Sequence, residues 1–257
     1  ANENHEEDRV DLSVDLMRRF LPLQWLLSLI FIVQMYVAML VIGLALLIPA
    51  LIDRRYAHTA CRSFCVWVQL TLRVICGLKS EVRGPVPQGE CLIGAKHQSF
   101  LDIILIFGAV PRGKFIMKKE LVWAPILGWY ALRIGCVPVD RGKRGAAIHR
   151  MKADVASGAS LPGQLIIYPQ GTRVAPGVKA PYKAGTAALY QQLEQDCIPV
   201  AANVGLFWPK RGILRRPGTA VVEFLPAIPP GLDTADFMQR LEDAVETASD
   251  RLMAEAR

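Results

Sequence analysis

Cys91-Leu92-Ile93-Gly94-Ala95-Lys96-His97-Gln98-Ser99-Phe100-Leu101-Asp102 is a short apolar run that ends in a polar turn and leads into a second apolar run. Its first half predicts a strand over 91–95, and the chain from Phe100 predicts a helix over 100–107. The alternation continues downstream. Candidate strands lie at 80–83, 91–95, 114–117, 136–139, 164–168, 198–203 and 219–224, and candidate helices at 100–107, 119–132, 144–157, 183–195 and 233–255. Strands alternating with helices predict an α/β fold with a mostly parallel sheet flanked by helices.

Within that first unit, His97 leaves a strand and Asp102 follows five residues later. Neutral imidazole can take a proton from an alcohol, and a carboxylate on the other ring nitrogen fixes the tautomer and stabilises the imidazolium. Residues five apart on a helix do not share a face. The pair therefore requires His97 in the turn and Asp102 in the first helical turn, with Gln98 or Ser99 as the cap. The same spacing also suits a plain capping turn on a core helix.

The hydrophobic fraction of 52% is high for a soluble chain, and the excess is local. Residues 20–52 hold no charge over 33 positions, with Arg18, Arg19, Arg54 and Arg55 outside them. About 20 apolar residues suffice to cross a bilayer as a helix. Pro22 and Pro49 mark the ends of this stretch, and it is too long for a signal peptide. The stretch over 56–78 carries Arg62 and Arg73 beside Phe64 and Trp67, a pattern that fits an interfacial amphipathic helix. Three segments follow: a polar one over 1–19, a membrane-associated helical pair over 20–78 and an α/β domain over 79–257.

Charge is unevenly placed within the net +7. Residues 53–150 carry sixteen bases and six acids, whereas 231–257 carry seven acids and three bases. A basic region next to an apolar helix suits an anionic lipid surface. Nucleic acid is excluded as a partner because no recognised motif accompanies the charge. The six cysteines form no C-x-x-C pair and the four histidines are scattered, so no metal site is expected. The cysteines read as reduced thiols, which points to an α/β domain on the cytoplasmic side of the membrane.

If the strands are parallel, their carboxyl ends gather polar residues on one rim, where ligands bind in open α/β sheets. His97 follows 91–95, Lys118 follows 114–117, and Asp140 and Arg141 follow 136–139. Gly171, Thr172 and Arg173 follow 164–168. Arginine forks and lysine point charges suit a phosphate. Phe207 and Trp208, beside Lys210 and Arg211, fit either an interfacial anchor or a core aromatic pair.

Four motifs on this rim resemble those of the lysophosphatidic acid acyltransferases, also called 1-acyl-glycerol-3-phosphate acyltransferases. They are His97-Gln98-Ser99-Phe100-Leu101-Asp102, Gly135-Cys136-Val137-Pro138-Val139-Asp140-Arg141, Tyr168-Pro169-Gln170-Gly171-Thr172-Arg173 and Ile198-Pro199-Val200-Ala201-Ala202-Asn203. Lys118-Lys119-Glu120-Leu121 is similar to the family's lysine-bearing segment, and Gly205-Leu206-Phe207-Trp208-Pro209 resembles the bacterial branch. The resemblance implies transfer of an acyl group from an acyl-carrier protein or coenzyme A thioester to the 2-hydroxyl of lysophosphatidic acid. His97 would be the base and Asp102 its orienting partner. Lys118, Arg141, Arg173, Gly171 and Thr172 would hold the phosphate, with Ser99 and Gln170 lining the site. No cofactor is implied, and the partners are membrane lipid, lysophosphatidic acid and the thioester.

One departure stands out. The family usually has a glutamate where this chain has Gln170. Natural variation, an engineered change and altered substrate preference are all open at this point. So are two other functions: an acyltransferase for another lysolipid, such as lyso-ornithine lipid, and a lipid-binding protein with a decayed site.

Overall fold

A computed structural model describes residues 3–139, 149 and 162–256, with 3–20 described as backbone. Arg141, Asp140 and, but for residue 149, the expected helix over 144–157 lie outside the described residues. The described strands are β1 (Leu78–Arg83), β2 (Cys91–Ala95), β3 (Lys114–Lys118), β4 (Val137–Val139), β5 (Gln164–Ile167), β6 (Cys197–Ala202) and β7 (Gly218–Phe224). They form one sheet in the order β1-β7-β6-β2-β5-β3-β4.

All neighbouring strands pair in parallel except β6 and β7. The block β6-β2-β5-β3-β4 therefore shares one direction, and its carboxyl ends form one rim, while β1 and β7 run the other way. Strand β2, buried at every residue, sits near the middle of the sheet. A strand covered on both faces needs an unbroken apolar run, and Cys91-Leu92-Ile93-Gly94-Ala95 provides it.

The described α-helices of the α/β unit include α4 (Leu101–Ala109), α5 (Leu127–Arg133), α6 (Gly185–Leu193) and α7 (Thr234–Glu255). Helices α6 and α7 cover one face, where Tyr190 stacks on Phe237 with centroids 3.8 Å apart. Helix α4 buries Leu101, Ile104 and Leu105 in the core on the other face. The single helix expected over 119–132 is split into a 3₁₀ helix (Lys119–Trp123) and α5. Pro125 explains the break: it removes a backbone N–H and disfavours helical geometry at Ala124, which is extended at φ −67° and ψ 123°.

Ahead of the sheet come α1 (Glu3–Ala45), α2 (Leu47–Ile52) and α3 (Arg54–Cys76). Helix α1 begins earlier than expected and continues through Pro22. Its span Leu21–Ala45 is long and apolar enough to cross a membrane, with a mean hydropathy of 2.4 over its most apolar 18 residues. The glutamine and serine side chains of this span turn toward the protein. Gln34 donates to Thr71 Oγ1 and accepts from Trp67 Nε1, and the Ser28 hydroxyl accepts from Arg215 N. Leu26, Ile30, Val33, Val37, Val41 and Leu44 are exposed. Their spacing of three or four residues makes one apolar stripe facing away from the core. Helix α3 packs Ala57, Cys65, Val68 and Leu72 inward and leaves Val66, Leu70 and Val74 exposed. Trp208 and Phe207 take the core alternative: both are buried, Trp208 against Phe31 with Arg215 above its ring at 4.2 Å.

Candidate active site

The chain leaves β2 at Ala95, makes a turn through Lys96 and His97, and enters α4 at Leu101. Asp102 lies in the first turn of α4 and is fully buried. Its Oδ1 pairs with His97 Nδ1 at 2.9 Å, and its Oδ2 accepts from the backbone N–H groups of Gln98 and Ser99, each at 2.8 Å. Three donors thus converge on one carboxylate at a helix N-terminus, where negative charge is favoured. Phe100, not Gln98 or Ser99, occupies the N-cap position, but the Ser99 hydroxyl still accepts from Leu101 N at 3.1 Å.

The His97 ring is held on two sides. Its Nδ1–H donates to Asp102, so Nε2 is the nitrogen left for chemistry. Its face stacks on Tyr168 at 3.9 Å between centroids, and Tyr168 stacks in turn on Phe115 at 6.1 Å. Burial first, then the nearby Asp102 carboxylate, push the Tyr168 hydroxyl well above the usual phenol range. Tyr168 therefore serves as a neutral platform. Two further bonds brace the turn: Val174 N donates to His97 O at 2.8 Å, and Gly205 N donates to Gln98 Oε1 at 2.9 Å.

A cavity of about 590 Å³ opens beside His97. Lys118, Arg173, Lys183 and Lys210 line it together with Gly171 and Thr172, and no described lining residue is a carboxylate. Phe100, Ile103, Phe115, Leu127, Ala131 and Cys136 line another part of it. These six also border a second, almost wholly apolar cavity of about 130 Å³, which reaches Met39, Ile42 and Gly43 of α1. The space beside the histidine is cationic on one side and apolar on the other.

Of the residues singled out from sequence, His97, Lys118, Gly171, Thr172 and Arg173 share this cavity, and Asp102 stands directly behind His97. Ser99 and Gln170, expected to line the site, are instead turned into the protein. Ser99 is fully buried, and the Gln170 amide runs toward Glu246 on α7 at 3.4 Å. Lys183 was not singled out, and Lys210 was named only as a neighbour of the Phe207–Trp208 pair. Lys183 precedes α6 with no motif to mark it, and its side chain passes over Gly171, where a Cβ would come within 2.7 Å of its Nζ. Gly171, at φ +69°, thus serves both the turn and that crossing. Lys210 ties the loop together by donating to Thr172 Oγ1 at 3.3 Å and Arg173 O at 2.9 Å.

Comparison with known proteins adds three observations. A family model described as acyltransferase matches residues 79–203, which span β1 to the end of β6. The chain is 30% identical over 170 residues to the 1-acyl-sn-glycerol-3-phosphate acyltransferase of Pseudomonas aeruginosa, covering 65% of each chain. It is 28% identical over 181 residues to the human 1-acyl-sn-glycerol-3-phosphate acyltransferase alpha, covering 68% of this chain and 64% of the relative. It thus spans just under two thirds of the length of both. The crystal structure of the 1-acyl-sn-glycerophosphate acyltransferase PlsC from Thermotoga maritima superposes with a TM-score of 0.74 at 24% identity, covering 89% of this chain and 95% of that one. At that identity the likeness is one of fold.

Proposed function

We propose that the chain is an acyltransferase of the family whose model matches residues 79–203, and that it moves a fatty acyl group from a thioester to the 2-hydroxyl of lysophosphatidic acid, giving phosphatidic acid. The observation that carries this reading is the Asp102-oriented His97 at the edge of a cavity with four cations on one side and an apolar wall on the other. Lysophosphatidic acid has the matching shape: an anionic phosphate, a free hydroxyl and a fatty chain.

His97 Nε2 takes the proton of the 2-hydroxyl as its oxygen attacks the thioester carbonyl carbon. The new C–O ester bond forms, the C–S bond breaks, and the imidazolium returns its proton to the departing sulfur. Asp102 stabilises the imidazolium in between. Lys118 and Arg173 hold the phosphate on the Gly171-Thr172 turn, joined by Lys183 and Lys210. Arg141 of the second motif takes the same role. Holding the phosphate at a distance from the base places the hydroxyl, which can lower the barrier by several kcal/mol. Four cations and no carboxylate among the described lining residues favour a phosphate-bearing acceptor over a zwitterionic one such as lyso-ornithine lipid.

Residues 20–78 act as the membrane-associated pair and 79–257 as the acyltransferase domain. The outward apolar stripe on α1 supports lipid contact. The free cysteines support a cytoplasmic-facing catalytic domain at the cytoplasmic membrane. The thioester is acyl-carrier protein or coenzyme A bound. Incubation with lysophosphatidic acid and each acyl thioester, followed by mass spectrometry of the lipids, tests the reading. Phosphatidic acid is the expected product, and its absence with both donors overturns it.

A further inference from the structure

One carboxylate close to the site has no part in the mechanism above. Glu246, on α7, accepts from Lys96 Nζ at 2.7 and 2.5 Å, from the Tyr182 hydroxyl at 2.9 Å and from Gln170 Nε2 at 3.4 Å. Lys96 and Gln170 are each 3% exposed. Each donor is the chain neighbour of a residue on the cavity wall: Lys96 precedes His97, Gln170 precedes Gly171, and Tyr182 precedes Lys183. Glu246 is thus the point at which the base loop, the glycine turn and a phosphate-side lysine are tied together. It does this from a helix that supplies no described residue to the cavity.

The charges in this knot balance. Lys96 contributes one positive charge and Glu246 one negative, while Gln170 is neutral. Tyr182 also stays a neutral donor, because burial and then the Glu246 and Glu242 carboxylates raise it far above the phenol range. A second carboxylate at position 170 would face Glu246 at hydrogen-bond distance, with Lys96 alone to balance both. The Gln170 Oε1 atom is buried and unpartnered among the described residues, so no further cation stands ready there.

We propose that Glu246 is a positioning residue for the acyl transfer, holding His97 and the phosphate turn in register through Lys96, Tyr182 and Gln170, and that position 170 must therefore be neutral. The glutamine in Tyr168-Pro169-Gln170-Gly171-Thr172-Arg173 is then the complement of Glu246 and not a sign of decay. The proposal rests on the acyl-transfer reading.

A charge swap in the full-length membrane-bound protein tests it. Gln170→Glu and Glu246→Gln are each expected to lower kcat/KM for lysophosphatidic acid roughly 30-fold or more, and the double variant Gln170→Glu/Glu246→Gln to recover to within about 5-fold of the parent. A purely space-filling role predicts additive losses instead. Parent-like activity in either single variant overturns the proposal, as does a double variant no better than the worse single. Where a single variant fails to fold, the double variant decides: folded and active supports the proposal, and anything else overturns it. Thermal melting of the same four proteins separates this claim from the functional one. If the parent makes no phosphatidic acid, the acyl-transfer reading fails. The charge complement is then judged by whether the swap restores the melting temperature lost in the singles, and no recovery overturns it.

Discussion

Asp102 draws its three donors from residues three, four and five positions away, whereas Glu246 draws its three from residues 64, 76 and 150 positions away. The two carboxylates brace the same short turn, Glu246 through Lys96 and Asp102 through His97, Gln98 and Ser99. Asp102 is held by one side chain and two backbone N–H groups, and it forms its bonds as the first turn of α4 forms. Glu246 is held by three side chains, and it meets them only when α7 docks beside β6. Closing a longer loop costs more chain entropy, so the second arrangement depends on the burial that brings α7 home. The difference teaches that the His97 turn is shaped locally, whereas its alignment with the cationic side of the cavity is a tertiary property.

The largest expected effect tests the local arm. His97→Ala should lower acyl transfer about 10³-fold while leaving the melting temperature near that of the parent. Asp102→Ala should match it in turnover and also lose about 2–4 kcal/mol in urea unfolding, because Gln98 and Ser99 keep buried N–H groups without an acceptor. Near-parent turnover in His97→Ala removes the base from the mechanism.

Next comes the long-range arm. Lys96→Met alone should cost about 3 kcal/mol, at the low end for a broken buried pair, because Glu246 keeps 25% of its side chain exposed. Lys96→Met with Glu246→Leu should recover most of that in the same urea melts. No partner substitution can rescue Asp102→Leu in this way, since two of its donors are backbone. A double variant as unstable as Lys96→Met would erase the distinction between the two carboxylates.

Smaller effects sharpen the cationic side. Arg173→Ala should raise the KM for lysophosphatidic acid about 10-fold with kcat little changed, through one lost charge-assisted bond. An unchanged saturation curve contradicts the phosphate role. Ser99→Ala, at the quiet end, should cost about 1 kcal/mol of unfolding free energy for one lost bond to Leu101 N and leave turnover close to the parent.

Much of this architecture was legible in the chain. The seven expected strands match the described ones to within about two residues at each end, because apolar runs bounded by polar turns report burial directly. His97 and Asp102 were legible for a related reason, since their meeting depends on one turn and one helix start. The helix expected over 119–132 was misread, as hydrophobic periodicity outweighed Pro125 in a segment whose backbone cannot stay helical there. Gln170 and Ser99 were read as site-lining because their chain neighbours include residues that line the cavity. Which way a side chain turns inside a loop is settled by what packs behind it.

The order of residues alone determined the strands, the uncharged apolar run over 20–52 and the His97–Asp102 pair, since each follows from interactions within one or two turns of chain. Tertiary structure decided which cations join Arg173 around the cavity, that Trp208 belongs to the core, and that a carboxylate on the last helix answers Lys96 and Gln170. Those outcomes depend on segments far apart in the chain, brought into contact by closing a sheet and docking helices over it, and no local pattern carries the address of a distant partner.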